Sequence, residues 1–496
     1  MKYLVTAEEM KRYDTNTIEK IGIPGMVLME RAALMTYRTL LYTFGTENMT
    51  GRTILVLAGM GNNGGDGLAL ARFLCEAGCL VDVWCVGDEA KASGQWRNQR
   101  SILENYSVRI SSKPLREEYN ILVDALFGVG LSREIEGDFR KAVEYFNAKE
   151  GFKLALDVPS GICSDTGRVL GCAVKADMTV TFAFEKRGLK LFPGCEYAGK
   201  IITADIGISE RAFLGQKPLM FYYDEESEKL LPLRSGDGNK GSFGKVLLVA
   251  GSVNMAGAAV LAARSAYKAG AGLVKVLSPE ENRIIIQQAV PEALFGTRED
   301  LEEGLRWADV ICLGPGLSQS KEAKECLERV ILESRLPLLI DADGLNLLAQ
   351  DEQLQSKLSA QGAEGRSIIL TPHVGELARL LNKTIFDLKK DLSCYGILLA
   401  QRLHAVVTAK DARTFTCKEN EPVCVNVRGN SGMATAGSGD VLAGVIAGLL
   451  AQKLQSFEAA SIGVHIHAWA GDRAAEELGE HACMATDIIR HLGRKV

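Results

Sequence analysis

The chain has 496 residues, 47% hydrophobic and 24% charged, too long for one ordinary core and balanced like a folded protein of two domains. Its 57 Lys and Arg against 62 Asp and Glu leave a net charge of -5, which offers no basic field for nucleic acid. No run approaches about 18 uninterrupted apolar residues, and the 12 cysteines stand singly without a CxxC pair, so no membrane span, disulfide framework or zinc site is expected.

The start, MKYLVTAEEMKRY, lacks the apolar stretch of a signal peptide, and Thr6 with Glu9 predicts a capping box opening a helix. Cysteines such as Cys75, Cys312 and Cys394 lie in apolar settings and are expected to be buried free thiols of a reducing cytoplasm. From residue 50 to about 205, β-rich runs alternate with helical ones. They are TILVLA (53–58), VDVWCV (81–86), NILVDAL (120–126), KLALDV (153–158), MTVTFAF (178–184) and IITADI (201–206). Amphipathic segments between them predict crossover helices over a three-layer α/β sheet.

Three strand ends in this half carry chemistry. GMGNNGGDG (59–67) follows the first strand; its glycines admit a close ligand and present amides to phosphate at a helix start. The spacing is neither G-x-G-x-x-G nor a triphosphate loop ending in lysine. Asn62 and Asn63 bring side-chain carbonyls suited to a monovalent cation or a hydroxyl, and Asp66 an acceptor for a ribose or amide proton. The same residues also read as a Gly/Asn turn with Asp66 as a helix cap. Asp124 ends the next such strand, before Gly128 and Gly130; Asp157 ends another, before Pro159, Ser160 and Gly161. Three acids beside glycine turns exceed what surface decoration requires.

Residues 209–243 turn polar and lose periodicity, so the linker is expected there. Alternation restarts with KVLLVAGS (245–252), LVKVLS (273–278), DVICLG (309–314), PLLIDA (337–342), SIILT (367–371) and HAVVTA (404–409), and a closing stretch, 439–493, is helical by pattern. In TAGSGDVLAGVIAGLL (435–450), Gly437 and Gly439 open a helix whose free amides suit a transferring phosphoryl group. Asp440, in its first turn, is placed to deprotonate a hydroxyl; alone, SGDVLAG also reads as a plain helix start. GSVNMAGA (251–258), DVICLGPGL with Gly314 and Gly316, DADGLN with Asp341, Asp343 and Asn346, and TPHVGE with His373 and Glu376 supply four more polar loops. His373 alone also reads as a helix cap.

The set NNGGDG, DALFGxG and DxPSG resembles the epimerase domain of the bifunctional NAD(P)H-hydrate repair enzymes, over nearly all of residues 1–215. The set GS-x-x-M-x-GA, GPG, DAD-x-LN, TPH-x-GE and AGSGDVLAG resembles their dehydratase domain, across roughly 225–494. The resemblance implies a Rossmann-like α/β/α domain over 1–215 and a ribokinase-like α/β domain over 216–496. It implies that Asn62, Asn63, Gly64, Gly65 and Asp66, the loop Gly128, Val129, Gly130, Leu131, Ser132, Arg133 and Glu134, and Asp157 contact a hydrated dinucleotide. Asn63, Asp124 and Ser160 would help hold potassium, and Asp157 is the candidate acid/base at C6 of the damaged nicotinamide ring. In the second half Ala256, Gly316 and His373 would face the hydrate, and Lys410, Asp411, Ala412, Arg413, Thr414 and Gly439 the nucleotide, with Asp440 catalytic.

The substrates implied are NADHX and NADPHX, the C6 hydrates of NADH and NADPH, with ADP or ATP as co-substrate and magnesium on the nucleotide. The unadorned start favours the ADP-using, prokaryotic type; a cytoplasmic homo-oligomer without nucleic-acid or membrane partners is expected. Two departures from the family pattern stand out: Asp411 where many relatives have glycine, and Val374 where proline is usual. Two rival readings stand beside this one, a small-molecule kinase with an unrelated N-terminal domain and a non-catalytic dinucleotide-binding protein.

Overall fold

The computed structural model describes residues 1–224 and 231–493. The chain forms two compact units, Tyr3–Met220 and Phe221–Val496 with Met1–Lys2. They divide at 220/221, against an expected division at 215/216. The expected linker is also more ordered than its polar composition predicts. A short helix, Glu210–Phe213, buries Ala212 and Phe213, and Met220–Tyr222 is a fully buried strand; few apolar residues are enough when each is buried. The 225–230 part of that linker lies outside the described residues.

In the N-terminal unit a capping box at Thr6 and Glu9 opens α1 (Ala7–Asn16), as predicted. It is followed by α2 (Gly25–Phe44). Seven strands then build one parallel sheet: β1 (Thr53–Ala58), β2 (Leu80–Cys85), β3 (Arg109–Ser111), β4 (Ile121–Ala125), β5 (Phe152–Leu156), β6 (Met178–Phe182) and β7 (Lys200–Ala204), in the order β3-β2-β1-β4-β5-β6-β7. Burial on both faces explains why the inner strands β1 and β4 are nearly continuous apolar runs, whereas the edge strands β3 and β7 are partly exposed. In β1, Ile54, Val56 and Ala58 enter the core shared with α2 and α3 (Asn62–Glu76), while Leu55 and Leu57 enter the opposite core with α5. Flanking helices include α4 (Gly94–Leu103) and α5 (Gly137–Ala148). The strand order reverses between β1 and β4, so the loops after these two strands flank the crevice where open sheets bind ligands.

The C-terminal unit repeats the principle with other loops. Its strands are β8 (Lys245–Val249), β9 (Leu273–Leu277), β10 (Leu294–Gly296), β11 (Val310–Leu313), β12 (Leu338–Ile340), β13 (Ile368–Leu370), β14 (Val406–Ala409), β15 (Phe415–Cys417) and β16 (Val423–Val425). They lie in the order β10-β9-β8-β11-β12-β13-β14-β15-β16, parallel as far as β14 and antiparallel beyond. Here the order reverses between β8 and β11. The helices that shape the crevice are α6 (Ala256–Lys268), α7 (Ala342–Ala349) and α8 (Val374–Leu381). The closing stretch forms α9 (Ser438–Ala451), α10 (Ser456–Leu478) and α11 (Ala485–His491).

Among the described residues no helix is long and apolar enough to cross a membrane. All 12 cysteines are free; Cys312 is buried as expected, but Cys75 is half-buried and Cys394 is exposed. Cys394 occupies the first turn of a helix that begins at Leu392, on its outer side.

The glycines of GMGNNGGDG have a second reason to be glycine. A Cβ on Gly64 would stand 1.8 Å from the Gly59 carbonyl oxygen, one on Gly65 2.7 Å from the Met29 methyl, and one on Gly67 2.6 Å from Ala125. These positions let α3 press onto β1, β4 and α2. Gly61, the residue before α3, has open space around it. Gly64→Ala should therefore destabilise the N-terminal unit by more than about 2 kcal/mol, since backbone cannot yield as a side chain can. Gly61→Ala should cost under about 1 kcal/mol. Urea unfolding of the two variants, followed by the fluorescence of Trp96, distinguishes these outcomes.

Candidate active sites at two strand-end crevices

The first site gathers at the carboxyl ends of β1, β4, β5 and β6. The first amides of α3 have no partner within the helix, a property of any helix start. Asn62 is exposed there. Asn63 is half-buried, and both its Oδ1 and its Nδ2 are buried without a hydrogen-bond partner among the described residues. Gly64 and Gly65, expected to face ligand, spend their missing side chains on protein packing, and the Gly65 N–H donates to the Gly61 carbonyl at 3.1 Å. Asp66 stands one turn beyond Asn62 on the same helix face. Burial pushes its carboxyl well above the usual range, the carboxylates of Asp157 and Asp14 add to this, and Lys186 opposes it.

Asp124 ends β4 fully buried. Its Oδ2 accepts the Ser160 N–H at 2.7 Å, and its Oδ1 accepts the Ser160 hydroxyl at 2.6 Å and the Leu126 N–H at 3.2 Å. Burial pushes the carboxyl up to about 6 although the Ser160 and Leu126 bonds pull it down. A Cβ on Gly128 would lie 3.4 Å from Asp157 Oδ2 and 3.5 Å from Asn63 Cβ, so both side chains border the space that this glycine leaves open. Further along the loop Val129 and Leu131 are half-buried, whereas Gly130, Ser132, Arg133 and Glu134 are exposed. The structure thus brings Asn63, Asp124, Gly128, Asp157 and Ser160 together, and puts Ser132–Glu134 on the outer rim.

Asp157 follows β5 with φ 66°, a left-handed conformation that costs about 1–3 kcal/mol at a residue with a side chain and is kept where surroundings enforce it. The enforcement is visible. Asp157 Oδ1 accepts from the Lys186 ammonium, from Thr181 Oγ1 at 3.3 Å and from the Phe182 N–H at 3.2 Å. Lys186 comes from Glu185–Lys186, a two-residue strand paired in parallel with Lys2–Val5. Its side chain is 1% exposed. Sequence reasoning missed both Lys186 and Asp14. The available signal was a lysine in TFAFEKRGL, immediately beyond an apolar strand.

The second site lies at the carboxyl ends of β8, β11, β12, β13 and β14. The Met255–Ala258 turn that opens α6 touches Gly316: a Cβ there would be 2.7 Å from Ala258 Cβ and 3.1 Å from the Met255 carbonyl. Ala256 itself is buried at the helix start. Asp341, the residue before α7, is buried, and its Oδ1 accepts both the Thr371 hydroxyl at 2.7 Å and the Lys410 ammonium at 2.8 Å. Asp343 accepts the Ser318 N–H at 2.8 Å, and Asn346 accepts from Arg379 at 2.7 Å.

His373 caps α8. Its Nδ1 accepts the N–H groups of Gly375 and Glu376 at 2.9 and 3.3 Å, while Glu376 accepts the His373 N–H at 2.8 Å. Burial, Lys410 and Arg379 lower the imidazole below its ordinary value. Its side chain remains 54% exposed, so the cap leaves much of the ring open to a ligand. Asp440 is half-buried in the first turn of α9, whose cap Gly437 has φ 87°. Burial pushes Asp440 up to about 7, with Asp341 and Asp343 adding and Lys410 opposing. Burial also raises Glu376 to about 7, against Lys410.

One ammonium therefore serves a group of carboxyls. A Cβ on Gly439 would lie 3.5 Å from Lys410 Nζ, so this lysine reaches the amide-rich end of α9. Its neighbours diverge: Asp411 and Ala412 are exposed, Arg413 and Thr414 half-buried. Lys410–Thr414, expected to act as one segment, thus has the Lys410 side chain drawn into the acid cluster while Asp411 and Ala412 face solvent.

Fold and sites define a two-domain α/β enzyme, Rossmann-like in its first half and ribokinase-like in its second, with a separate acid-lined crevice in each. A family model described as YjeF-related protein N-terminus matches residues 25–188, and one described as NAD(P)H-hydrate dehydratase matches residues 246–494. The chain is 37% identical to the bifunctional NAD(P)H-hydrate repair enzyme Nnr of Coxiella burnetii, over 99% of each chain. It is 36% identical to the protein of the same description from Moorella thermoacetica, over 99% of this chain and 96% of that one. A solved ADP/ATP-dependent NAD(P)H-hydrate dehydratase from Bacillus subtilis, co-crystallized with ATP and Mg2+, aligns with 27% identity and a TM-score of 0.48, covering 55% of this chain and 95% of that one. The chain belongs to the bifunctional NAD(P)H-hydrate repair enzyme family.

Because Lys410 is the cation that opposes the rise at Asp440, Lys410→Met should move the Asp440 carboxyl further up from about 7, by roughly one unit or more. A 13C-NMR titration of aspartate-labelled protein, with Asp440→Asn to assign the signal, reads this directly. A downward or absent shift would contradict the electrostatic picture.

Proposed function

We propose that the chain repairs hydrated nicotinamide cofactors, its first half interconverting R- and S-NAD(P)HX at C6 and its second half dehydrating the S form to NAD(P)H. The observation that carries this reading is Asp440. It is a carboxyl held near neutrality at the free amides of a helix start, beside Lys410, in a chain that matches its relatives along both halves. A nucleotide transfers a phosphoryl group to the C6 hydroxyl while Asp440 takes the hydroxyl proton. Phosphate then leaves with its bonding pair, driven by the ring nitrogen's electrons, and loss of the C5 proton restores the double bond. The α9 amides and the Lys410 ammonium face the charge that develops on the phosphoryl oxygens.

ADP is the preferred donor, giving AMP and phosphate. Asp411 contributes little to that preference, since an exposed carboxylate is screened by solvent and salt. Magnesium accompanies the nucleotide phosphates. Among the described residues there is no group of three or more His, Cys, Asp or Glu side chains that would hold a metal.

Potassium calls for a different donor set, and the residues present fit it. Asn63 Oδ1 is buried without a partner, and Asp124 and Ser160 add oxygens from two other loops, an all-oxygen environment for a hard cation. When bound, the ion supplies fixed positive charge beside the hydrate. Asp157 holds or moves the proton at C6, and the missing side chain of Gly128 leaves room beside it and Asn63. The free thiols agree with a cytoplasmic site of action.

Mixed R- and S-NADHX with ADP should regain the absorbance of NADH and release free phosphate; an accumulating phosphoester would identify a kinase instead. Asp440→Asn should lower dehydration at least about 100-fold while leaving epimerisation intact. Since the base must be ionised, wild-type dehydration should rise with pH through about 7. Near-wild-type dehydration in the variant would remove Asp440 as the base.

Potassium should speed epimerisation more than lithium at matched ionic strength, because a small ion fits a potassium-sized cage poorly. Equal rates in the two salts, or in a large organic cation, would reject the Asn63–Asp124–Ser160 site.

A further inference from the structure

The two oxygens of Asp157 have different surroundings. Oδ1 is saturated by the Lys186 ammonium, the Thr181 hydroxyl and the Phe182 N–H. The ammonium is in turn fully used, donating to Asp157, to Thr181 Oγ1 at 3.1 Å and to the Phe182 carbonyl at 2.9 Å. Oδ2 has no hydrogen-bond partner among the described residues, and it borders, together with Asn63, the space where a Gly128 Cβ would stand. A buried lysine with all three protons directed at one strand end has no donor left for a substrate. Its contact orients a carboxylate instead.

We propose that Lys186 is the positioning residue of the epimerase site, clamping Oδ1 of Asp157 so that Oδ2 alone exchanges a proton with the hydrate. This rests on the epimerase reading above. In the step implied, Oδ2 takes the proton of the C6 hydroxyl. The O–H pair becomes the carbonyl π bond, C6–N1 breaks, and its pair passes to N1 and the conjugated carboxamide. Closure on the other face of the carbonyl reverses each movement and returns the proton. Besides Lys186, the charged group near Asp157 is Asp66 on α3, which in turn lies near Asp14 on α1. Lys186 is thus the cation in contact with Asp157, close to the carboxyl of Asp66.

The test uses full-length Lys186→Met, Lys186→Arg and Asp157→Asn, with interconversion of purified R- and S-NADHX followed by chromatography. Lys186→Met should lose at least 100-fold in kcat with KM changed less than threefold. The acidic limb of its kcat/KM profile should move to higher pH by at least one unit, and Lys186→Arg should recover a tenth or more of the rate. On an Asp157→Asn background, Lys186→Met should cost less than threefold more. Dehydration of S-NADHX in the other unit and the thermal melt report folding. If Lys186→Met does not fold, Thr181→Val, which removes one donor to Oδ1, should show the same pH displacement in smaller measure. Wild-type kcat in Lys186→Met, or a loss of rate with an unmoved pH profile in both Lys186→Met and Thr181→Val, would overturn the positioning role. A wild-type chain that does not interconvert the epimers would instead overturn the epimerase reading itself.

Discussion

Each half of this protein depends on one lysine, buried at Lys186 and half-buried at Lys410, set against an excess of carboxyl groups. Lys186 meets Asp157 close to Asp66, and Lys410 meets Asp341 close to Glu376 and Asp440. Charge taken out of water is costly unless it is paired and hydrogen-bonded. Thr181 and Phe182 complete the first pair, and Thr371 completes the second. A single cation cannot satisfy every acid around it. Burial raises the carboxyls left over, Asp66, Glu376 and Asp440, above the ordinary carboxylate range.

That imbalance gives the sites their chemistry. Asp440 and Glu376, near 7, are acids whose protonation changes at working pH, and burial holds Asp66 well above its ordinary value. Asp124, at about 6, is stabilised by Ser160 and lies in the same crevice as the orphaned amide of Asn63. The same burial that makes these groups reactive makes them expensive to keep. Parallel sheets supply the compensation by bringing several strand ends, each with its own donor, to one place.

Close packing fixes where those strand ends point. The α3 helix presses against β1 and β4 because Gly64, Gly65 and Gly67 have no Cβ. Asn63 and Asp66 sit on that same helix, so its distance from the sheet sets theirs from Asp157. In the second unit Gly444 lets α9 meet α6, where a Cβ would stand 2.1 Å from the Ala262 carbonyl. The position of Asp440, one turn earlier on α9, follows from that contact.

The sequence by itself determined the alternation of strands and helices, the strand-end loops and most acids of both sites. Doubly buried parallel strands are written as apolar runs and tight turns as glycine, which are local signals. The three-residue strands β3, β10, β15 and β16 went unread, whereas β12 and β13, equally short, were legible because they lie within the longer apolar runs PLLIDA and SIILT. Tertiary structure alone decided that Lys186 reaches Asp157 across 29 residues and that Lys410 reaches Asp341 across 69. It also decided that Lys410 turns into its site while Asp411 faces solvent, and that Gly64 serves packing. Such partnerships depend on sheet order and register, which bring distant strand ends together, and no local spacing encodes them.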